Sequence, residues 1–406
     1  MSGKMERTDM KLNIKYAFMQ ACYWFITAAA MVFVVALLRE RGFSDAEVGN
    51  ILSVKYLLAV ISQFVLSNIV DRLIQKISLK TVIYGLSLLS AVTTLLFYFL
   101  HMGYIGTAVC FGIFGCTING VYPYINTIAT KFSHSGRKIY YSYARGVGSI
   151  MWGVASVLLS CSVSRFGIES ILLIQFTMTV LQILSAWLLD DVPVPEVEEG
   201  EEKQEKQVHS YLYLFRKYPG YTLFLIASVC MFIANNLLST FMVDIVAKAG
   251  GGNRELGYVE LALALFELPP AVLFITLSKR IGVKKILCTS IVSTFLQIVL
   301  TMCAGNIVTL ILAQTFQIFG VGMYWTASVY YVSQEIPEQD WVKGQALVNI
   351  CSLGLGGVVG SFISGHIMEN FGLDTLMRCS AMIVAAGIVI MYAGMRKSNK
   401  YQLGGM

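Results

Sequence analysis

Long apolar segments separated by short polar turns run through almost the whole chain. Each is close to the ~20 residues that a helix needs to cross the hydrocarbon core of a bilayer. The pattern therefore predicts an all-α membrane protein with twelve transmembrane helices, because a helix satisfies its backbone hydrogen bonds internally in lipid. We place the spans near residues 16–38, 46–69, 79–100, 104–128, 140–162, 168–189, 220–246, 257–277, 283–303, 306–332, 344–367 and 374–394.

Composition agrees with lipid as the main solvent of the chain. Hydrophobic residues make up 56% of the sequence and charged residues only 13%, whereas a soluble domain has roughly 25% charged residues. The longest polar stretch, residues 190–210, is acidic and typical of a linker. The amino-terminal segment MSGKMERTDMKLNIK is charged and lacks the cleavage site of a signal peptide, so we expect it to be retained.

The polar stretch divides the chain into two predicted groups of six spans. We expect an amino-terminal half at residues 1–189, a cytoplasmic linker at 190–219 and a carboxy-terminal half at 220–406. The fifth and eleventh spans resemble each other in their glycine-rich segments, RGVGSIMWGVAS and LGLGGVVGSFISG. Glycine lets membrane helices approach closely, and two pseudo-symmetric halves are typical of transporters that rock between two states.

Positive charge predicts the orientation of the spans. The loops after the second, fourth, eighth and tenth spans hold more Lys and Arg than the opposite loops. Cytoplasmic loops carry this excess, so we expect both termini and the linker to be cytoplasmic. Short loops suggest a bacterial inner membrane. The net charge of +6 follows the membrane and requires no nucleic acid.

The sequence argues against catalysis and metal binding. The nine cysteines are scattered without a CxxC motif, and the four histidines lack ligand spacing to another His, Cys or acid. An integral membrane enzyme would need a nucleophile with a base or a metal cluster. We therefore expect no cofactor, no metal and no enzymatic activity.

The loop after the second span carries a partial superfamily signature. Asp71 and Arg72 are followed by Lys76 and Lys80, while Ser67 stands where the signature begins with glycine. The whole chain resembles the major facilitator superfamily, in which this loop is a charge lock that breaks as the halves rock. An ordinary positively charged cytoplasmic loop is the alternative interpretation.

Within that superfamily, the chain resembles the lactose permease and its oligosaccharide and nucleoside symporter relatives. The opening KYAFMQACYWF…LLRERGFSDAEVGNILS has that group's aromatic first helix and following turn. In the fifth span, Arg145 is followed seven residues later by Trp152, so both leave one helix face. The resemblance implies that Arg145 binds sugar hydroxyls and that Trp152 stacks on the ring. The alternative for Arg145 is a side chain that extends to cytoplasmic water.

Two departures from that group affect the predicted chemistry. In the fourth span, Pro123 is followed by Asn126, where the resemblance predicts a carboxylate that pairs with Arg145. An amide can bind hydroxyls but cannot neutralise the arginine. In the tenth span, Gln317 and Gly320 stand where the group has its proton-handling histidine and glutamate.

Proton coupling must therefore rest on other residues. Ionisable groups inside a membrane cost about 3 kcal/mol or more and are functional candidates by default. Glu267 is the predicted carboxylate for substrate and proton, with Lys55 or Asp244 as partners. A structural partnership of Glu267 with Lys55 or Arg145 is the alternative. Glu260 is interpreted as an extracellular helix end reached by water. Sodium coupling and uniport stay open.

Uncharged polar side chains complete the predicted substrate site. Tyr23 of the first span, Gln317 of the tenth and the adjacent Asn235 and Asn236 of the seventh are expected to face substrate. Two neighbouring amides in the middle of a membrane span need hydrogen-bond partners. Single aromatic residues near span ends are more often interfacial anchors.

These features predict a monomeric secondary transporter that works by alternating access. We expect a proton-coupled symporter of a sugar, oligosaccharide or glycoside, with the lipid bilayer as its environment. The alternatives are a nucleoside or organic-anion transporter, a drug-type exporter and a non-transporting receptor. A drug-type exporter is disfavoured because the fifth span lacks the proline of that class.

Overall fold

A computed structural model describes residues 2–73, 78–134, 137, 139–192 and 210–403. Within these ranges the chain forms helices and turns without a strand, which confirms the all-α prediction. The chain divides into two compact units. The first comprises Met1–Glu198 with Gly252–Ala264, and the second comprises Glu199–Gly251 with Leu265–Met406.

Hydropathy and length identify the membrane helices. Eight helices of the described part are long and apolar enough to cross a membrane, or nine if one bent pair counts as a single span. One of the eight, Glu338–Ser398, is 61 residues long and covers both of the last predicted spans. These numbers are consistent with the predicted twelve spans, and the predicted fold class is confirmed.

The first unit is built mainly from the first seven helices. They are α1 (Ser2–Ala29), α2 (Val34–Glu40), α3 (Asp45–Leu73), α4 (Leu79–Phe99), α5 (Tyr104–His134), α6 (Tyr141–Phe166) and α7 (Ser170–Leu188). Most of α11 (Asn253–Phe266) also belongs to this unit. The predicted halves divide at the linker 190–219, so they differ from these units in the place of α11. The division into two halves stays a prediction.

The second unit contains the remaining helices. They are α8 (Tyr211–Lys217), α9 (Pro219–Thr240), α10 (Met242–Lys248), α12 (Pro269–Ile281), α13 (Val283–Met302), α14 (Ile307–Gln314), α15 (Val321–Glu335), α16 (Trp341–Asn349) and α17 (Gly356–Leu403). Short 3₁₀ helices occupy Thr315–Ile318 and Glu338–Asp340, and a π-helical segment occupies Ile350–Leu355.

Four predicted spans are interrupted in the structure. The first span breaks between α1 and α2 with a bend of 44°. The seventh breaks at Phe241, between α9 and α10. The eighth breaks between α11 and α12, where Pro269 begins the second piece, because proline lacks an amide proton and suits the first turn of a helix. The tenth breaks after its 3₁₀ turn at Gly320, whose backbone angles of φ −80° and ψ −116° are not helical.

Close helix packing depends on small residues at the crossings. A Cβ atom at Gly115 of α5 would lie 2.1 Å from the carbonyl oxygen of Lys55 in α3. In the second unit, a Cβ atom at Gly356 would lie 2.6 Å from the Cβ of Phe232 in α9. Both crossings require glycine, as expected where membrane helices pack by shape.

Two pairs of turns use glycine in the left-handed region. Gly42 follows α2 with φ 89°, and Gly250 follows α10 with φ 81°. Gly167 follows α6 with φ 83°, and Gly372 interrupts α17 with φ 74°. Residues with a Cβ atom rarely adopt this backbone conformation.

The predicted charge lock cannot be described. Asp71 and Arg72 belong to the last turn of α3, but their side chains and the whole of Lys76 lie outside the described residues. The lock therefore stays a prediction.

Candidate functional site

Four aromatic side chains from three helices meet in the first unit. Tyr23 and Trp24 come from α1, Tyr122 from α5 and Trp152 from α6. Tyr23 stacks on Tyr122 with ring centres 5.0 Å apart, and Trp24 meets Tyr122 edge-on at 5.6 Å. Trp24 also meets Trp152 at 6.2 Å. These edge-on and stacked geometries are favourable for aromatic pairs. We call the four residues the aromatic cluster.

A glycine of α6 makes room for the cluster. A Cβ atom at Gly148 would lie 2.2 Å from Cδ1 of Trp24 and 2.7 Å from its Nε1. Because atoms cannot approach so closely, the indole fits here only beside glycine. The glycine-rich start of α6 thus positions Trp24 as well as allowing close helix packing.

Arg145 is directed at the aromatic cluster. Its guanidinium carbon lies 4.0 Å from the centre of the Trp24 ring, and its Nη1 donates a hydrogen bond of 2.7 Å to Oγ of Ser149. The side chain is half-buried. Cations are attracted to the face of an indole, so Trp24 stabilises the charge that Asn126 cannot neutralise.

A carboxylate of α11 completes this side of the cluster. Nε1 of Trp152 donates a hydrogen bond of 3.2 Å to Oε2 of Glu260. Close packing of α11 on α6 brings the two residues together: a Cβ at Gly257 would lie 2.7 Å from the Cβ of Ser160. A Cβ at Gly153 would likewise lie 2.5 Å from Cδ1 of Leu261. Glu260 is therefore in contact with the predicted stacking residue, and its interpretation as a helix end reached by water stays a prediction.

A chain of hydrogen bonds orients two amides of the first unit. Tyr16 donates its hydroxyl proton to the carbonyl of Ile125 at 3.2 Å, and its oxygen accepts from Nε2 of Gln20 at 3.0 Å. The same Nε2 donates to Oδ1 of Asn126 at 3.4 Å. Oε1 of Gln20 has no partner among the described residues. Asn126 of α5 is thus hydrogen-bonded to Gln20 of α1.

The structure brings together part of the predicted site. Tyr23, Arg145 and Trp152 meet around Trp24, whereas Asn126 binds Gln20 in the same unit. The substrate roles assigned to these residues stay predictions. The first three share one cluster of contacts.

Lys55 lies at the break of the first span. Its Nζ donates a hydrogen bond of 3.1 Å to the carbonyl of Ala30, just beyond the end of α1. The residue is only 4% exposed. A cation is favourable at the carboxy-terminal end of a helix. A cavity of about 10 Å³ beside it, which Gln175 also lines, is about the size needed for one water.

The other predicted residues belong to the second unit. Oδ1 of Asn236 accepts hydrogen bonds from Thr240 at 3.2 Å and Ser361 at 3.0 Å, so this amide connects α9 to α17. The remaining four are Asn235, half-buried on α9; Asp244, in the first turn of α10; Glu267, exposed at the α11–α12 break; and Gln317, buried in the 3₁₀ turn. Their assigned roles stay predictions.

Sequence reasoning underestimated Glu260, Trp24 and Gly148. Glu260 lies seven residues before Glu267 and would share its face in an unbroken helix, so spacing alone could not choose between them. The structure instead ends α11 at Phe266, before Glu267. Trp24 resembles an interfacial anchor in the sequence. Only the contact of α1 with α6 shows that Gly148 makes room for the Trp24 indole.

Comparison with known proteins identifies relatives along nearly the whole chain. The model of the MFS_1 like family matches residues 12–379. The Escherichia coli (strain K12) protein named "Putative nucleoside transporter YegT" is 23% identical over 386 residues, which are 89% of this chain and 85% of that protein.

Solved structures of similar fold agree with the family match. The crystal structure of the nucleoside transporter NupG has a TM-score of 0.77 at 17% identity and covers 96% of this chain and 98% of its own. A crystal structure of a mutant of the peptide transporter POT in complex with alafosfalin has a TM-score of 0.73 at 11% identity, covering 97% and 94%. At these identities the likeness shows the fold alone.

Proposed function

We propose that the solute of this chain, which belongs to the MFS_1 like family, is a nucleoside. As a member of that family, the chain is a multi-pass membrane transporter of the major facilitator type and not an enzyme. This proposal replaces the free sugar that the sequence favoured. A nucleoside joins a sugar to a planar base, so the hydroxyl chemistry expected from the sequence is retained. Relatives named as nucleoside transporters support the change.

The aromatic cluster is the observation that carries the proposal. Four rings lie within contact of one another, with Arg145 and Glu260 bound at Trp24 and Trp152. A flat base stacks on aromatic side chains, with about 1–3 kcal/mol for each base. Arginine donors, a carboxylate acceptor and amides are suited to ribose hydroxyls and base edges. Four rings exceed what one sugar face would need.

The charges beside the cluster favour a neutral solute. The guanidinium of Arg145 is stabilised by the Trp24 ring at 4.0 Å, so it does not require a substrate anion for neutralisation. Glu260 on the same side would repel a carboxylate or phosphate. We therefore rank nucleosides above small organic anions and nucleotides.

A sugar or glycoside is the second candidate. The spacing of Arg145 and Trp152, which resembles that of the lactose permease group, supports it, because one indole can cover the apolar face of a sugar ring. The two candidates differ in whether binding requires the base.

The remaining parts of the mechanism belong to the same proposal. Residues 1–189 and 220–406 would act as the two rocking halves around the linker at 190–219, with both termini in the cytoplasm and the chain a monomer in a bacterial inner membrane. Proton coupling through Glu267, Lys55 or Asp244 would bias the equilibrium between inward- and outward-facing states.

Ligand-induced thermal stabilisation of the detergent-purified protein tests the solute class. The panel contains uridine, adenosine, free uracil, free ribose, lactose and a small carboxylate. We expect nucleosides to raise the melting temperature more than uracil or ribose alone. Stabilisation by ribose or lactose equal to that by uridine would overturn the nucleoside proposal in favour of a sugar.

Two variants test the site itself. Trp152→Ala and Arg145→Ala should each weaken uridine binding about tenfold or more, as the loss of a stacked ring or a charged hydrogen bond predicts. Trp187→Ala is the matched control, since this tryptophan is exposed on α7 in the same unit. Unchanged uridine binding by Arg145→Ala would mean that Arg145 is only an anchor at the membrane surface.

A further inference from the structure

The interrupted tenth span places backbone carbonyls outside a helical ladder. The 3₁₀ turn Thr315–Ile318 ends at Phe319, and α15 begins at Val321. The first carbonyl that accepts from α15 is that of Gly320, which binds the amide of Tyr324 at 3.1 Å. The carbonyls of residues 317–319 therefore precede the α15 ladder, at the end of the 3₁₀ turn, where the last carbonyls of a helical segment lack donors from the same segment.

Helix α13 presents hydroxyl groups to this interruption. Oγ of Ser293 donates a hydrogen bond of 2.8 Å to the carbonyl of Phe316. A Cβ atom at Gly320 would lie 2.9 Å from Oγ1 of Thr294, so the two backbones approach closely. Each hydroxyl oxygen keeps acceptor capacity after it donates its proton.

A chain of amides leaves one buried oxygen without a donor. Nε2 of Gln314 donates to the carbonyl of Leu310 at 3.2 Å, which fixes the orientation of this amide. Its Oε1 accepts from Nε2 of Gln297 at 2.7 Å. Oε1 of Gln297 is then directed elsewhere, and it has no hydrogen-bond partner among the described residues. Gln297 is 7% exposed.

Gln317 supplies a second buried oxygen of the same kind. Gln317 follows Phe316, whose carbonyl binds Ser293 of α13, in the same 3₁₀ turn. Gln317 is 8% exposed, and its Oε1 has no hydrogen-bond partner in the described part of the chain. A buried acceptor without a donor destabilises the fold, so two such oxygens at one helix break point to a ligand site.

We propose that this interruption binds a sodium ion. Its ligands would be Oε1 of Gln297 and Gln317, the hydroxyl oxygens of Ser293 and Thr294, and carbonyls of the unwound segment. Unwound carbonyls of broken membrane helices coordinate sodium in other transporters. The set is neutral and made only of oxygen, which suits a hard monovalent cation, whereas Ca²⁺ sites use carboxylates. Amides and hydroxyls do not titrate near neutrality, so the site cannot act as a proton carrier.

The binding of sodium is independent of the proposed solute, but its use as a coupling ion rests on the proposed function. Sodium binding is therefore measured first without any solute. The melting temperature of the purified protein is followed in sodium, potassium and choline chloride at equal ionic strength, and binding of radioactive sodium is measured directly. We expect a saturable stabilisation by sodium that potassium and choline do not give.

Two variants test the ligands in opposite directions. Gln297→Leu should weaken sodium binding about tenfold, because it removes one ligand oxygen. Gln317→Glu should strengthen it about tenfold, because added ligand charge raises cation affinity. This gain remains informative if Gln297→Leu folds poorly. Gln182→Leu on α7 is the matched control, since both polar atoms of that amide are also buried without partners in the described residues, and its sodium response should equal that of the wild type.

The same measurements can overturn the proposal. A single buried water that donates to both amide oxygens would produce no dependence on sodium. Equal stabilisation by potassium and choline, or a sodium affinity that Gln317→Glu leaves unchanged, would mean that the interruption holds no cation. Neither result would affect the nucleoside proposal, which is tested by uridine binding.

Discussion

The guanidinium of Arg145 lies 4.0 Å from the Trp24 ring and donates to Ser149. Sequence spacing could place Arg145 and Trp152 on one helix face, because the period of an α-helix is local. It could not place Trp24 between them, since this residue comes from α1. Because the sequence does not show the contact of Arg145 with Trp24, it left open the alternative that Arg145 is an anchor at the membrane surface.

We predict that Gly148→Ala disrupts the aromatic cluster. The new methyl group would lie 2.2 Å from Cδ1 of Trp24, so the indole must move and carry the cation–π contact with it. Overpacking of this kind costs about 1–3 kcal/mol. Uridine-induced stabilisation should fall, and the unliganded melting temperature should decrease.

Gly146→Ala is the control for the same helix. A Cβ atom at Gly146 meets nothing within 4 Å, and alanine favours a helix over glycine by roughly 1 kcal/mol. This variant should match or exceed the wild type in melting temperature and keep uridine binding. Equal behaviour of the two variants would show that Trp24 is not constrained as described.

At the scale of helices, periodicity predicts where spans lie better than where they break. The α11–α12 break could be anticipated from the adjacent Pro269 and Pro270, because proline cannot donate to the preceding turn. The break between α1 and α2 has no such signal. There, the carbonyl of Ala30 is bound by Lys55 of another helix. A short stretch of sequence around Ala30 does not include Lys55, so the break could not be predicted from it.

Lys55→Met should separate a structural role from a coupling role. The substitution removes the cost of burying a cation away from water, but it leaves the Ala30 carbonyl without its donor. These effects oppose each other, so the free energy of unfolding should change by about 1 kcal/mol or less. If Lys55 takes part in coupling, uridine exchange in proteoliposomes continues while accumulation against a gradient is lost.

Lys55→Arg and Lys131→Met are the controls. The first keeps the positive charge, and the second removes a lysine near the end of α5. Accumulation that survives in Lys55→Met would restrict Lys55 to capping the helix break. Loss of both exchange and accumulation, with a lower melting temperature, would make it a purely structural residue.

Across the whole molecule, hydropathy predicted the all-α membrane class, and the resemblance carried by the loop after the second span predicted the superfamily. They could not assign residues 252–264 to the first unit. That assignment depends on the packing of α11 against α6 through Gly153 and Gly257. The sequence alone does not show which helix packs against a given glycine. The site was predictable only in part for the same reason.

Ion pairs connect distant parts of the first unit at the end of α7. Asp190 binds Nζ of Lys15 at 2.6 Å and Nη1 of Arg137 at 2.8 Å. The hydrogen bond from Lys15, followed by that from Arg137, holds the pKa of the Asp190 carboxyl below its usual value of 3.8. Asp190 therefore joins the middle of α1 to the segment before α6.

Asp190→Asn should lower the melting temperature at neutral pH but not in acid. A carboxyl with a depressed folded-state pKa contributes stability above its unfolded pKa of about 3.9, and this contribution is lost as pH falls through the lower, folded value. The difference between wild type and variant should be constant from about pH 7 to pH 5 and shrink below about pH 4.

Asp191→Asn is the matched control for this measurement. The Asp191 side chain is fully exposed, and its contact with Lys80 is 3.4 Å long. Exposed pairs contribute little, so its melting curve should follow the wild type at every pH. A difference for Asp190→Asn that persists unchanged into acid would show that the carboxylate charge is not responsible.

Four of the five left-handed glycines of the described residues stand at matching places in the two predicted halves. Gly42 and Gly250 follow the short helices α2 and α10, and Gly167 and Gly372 stand before the last predicted span of each half. A gene for six helices, copied in tandem and then free to diverge, would leave such matching turns. Side chains that face lipid or solute could change after such a copying, whereas a backbone angle open mainly to glycine could not. A common origin of the two halves would therefore be preserved in the turns rather than in the helices that they connect.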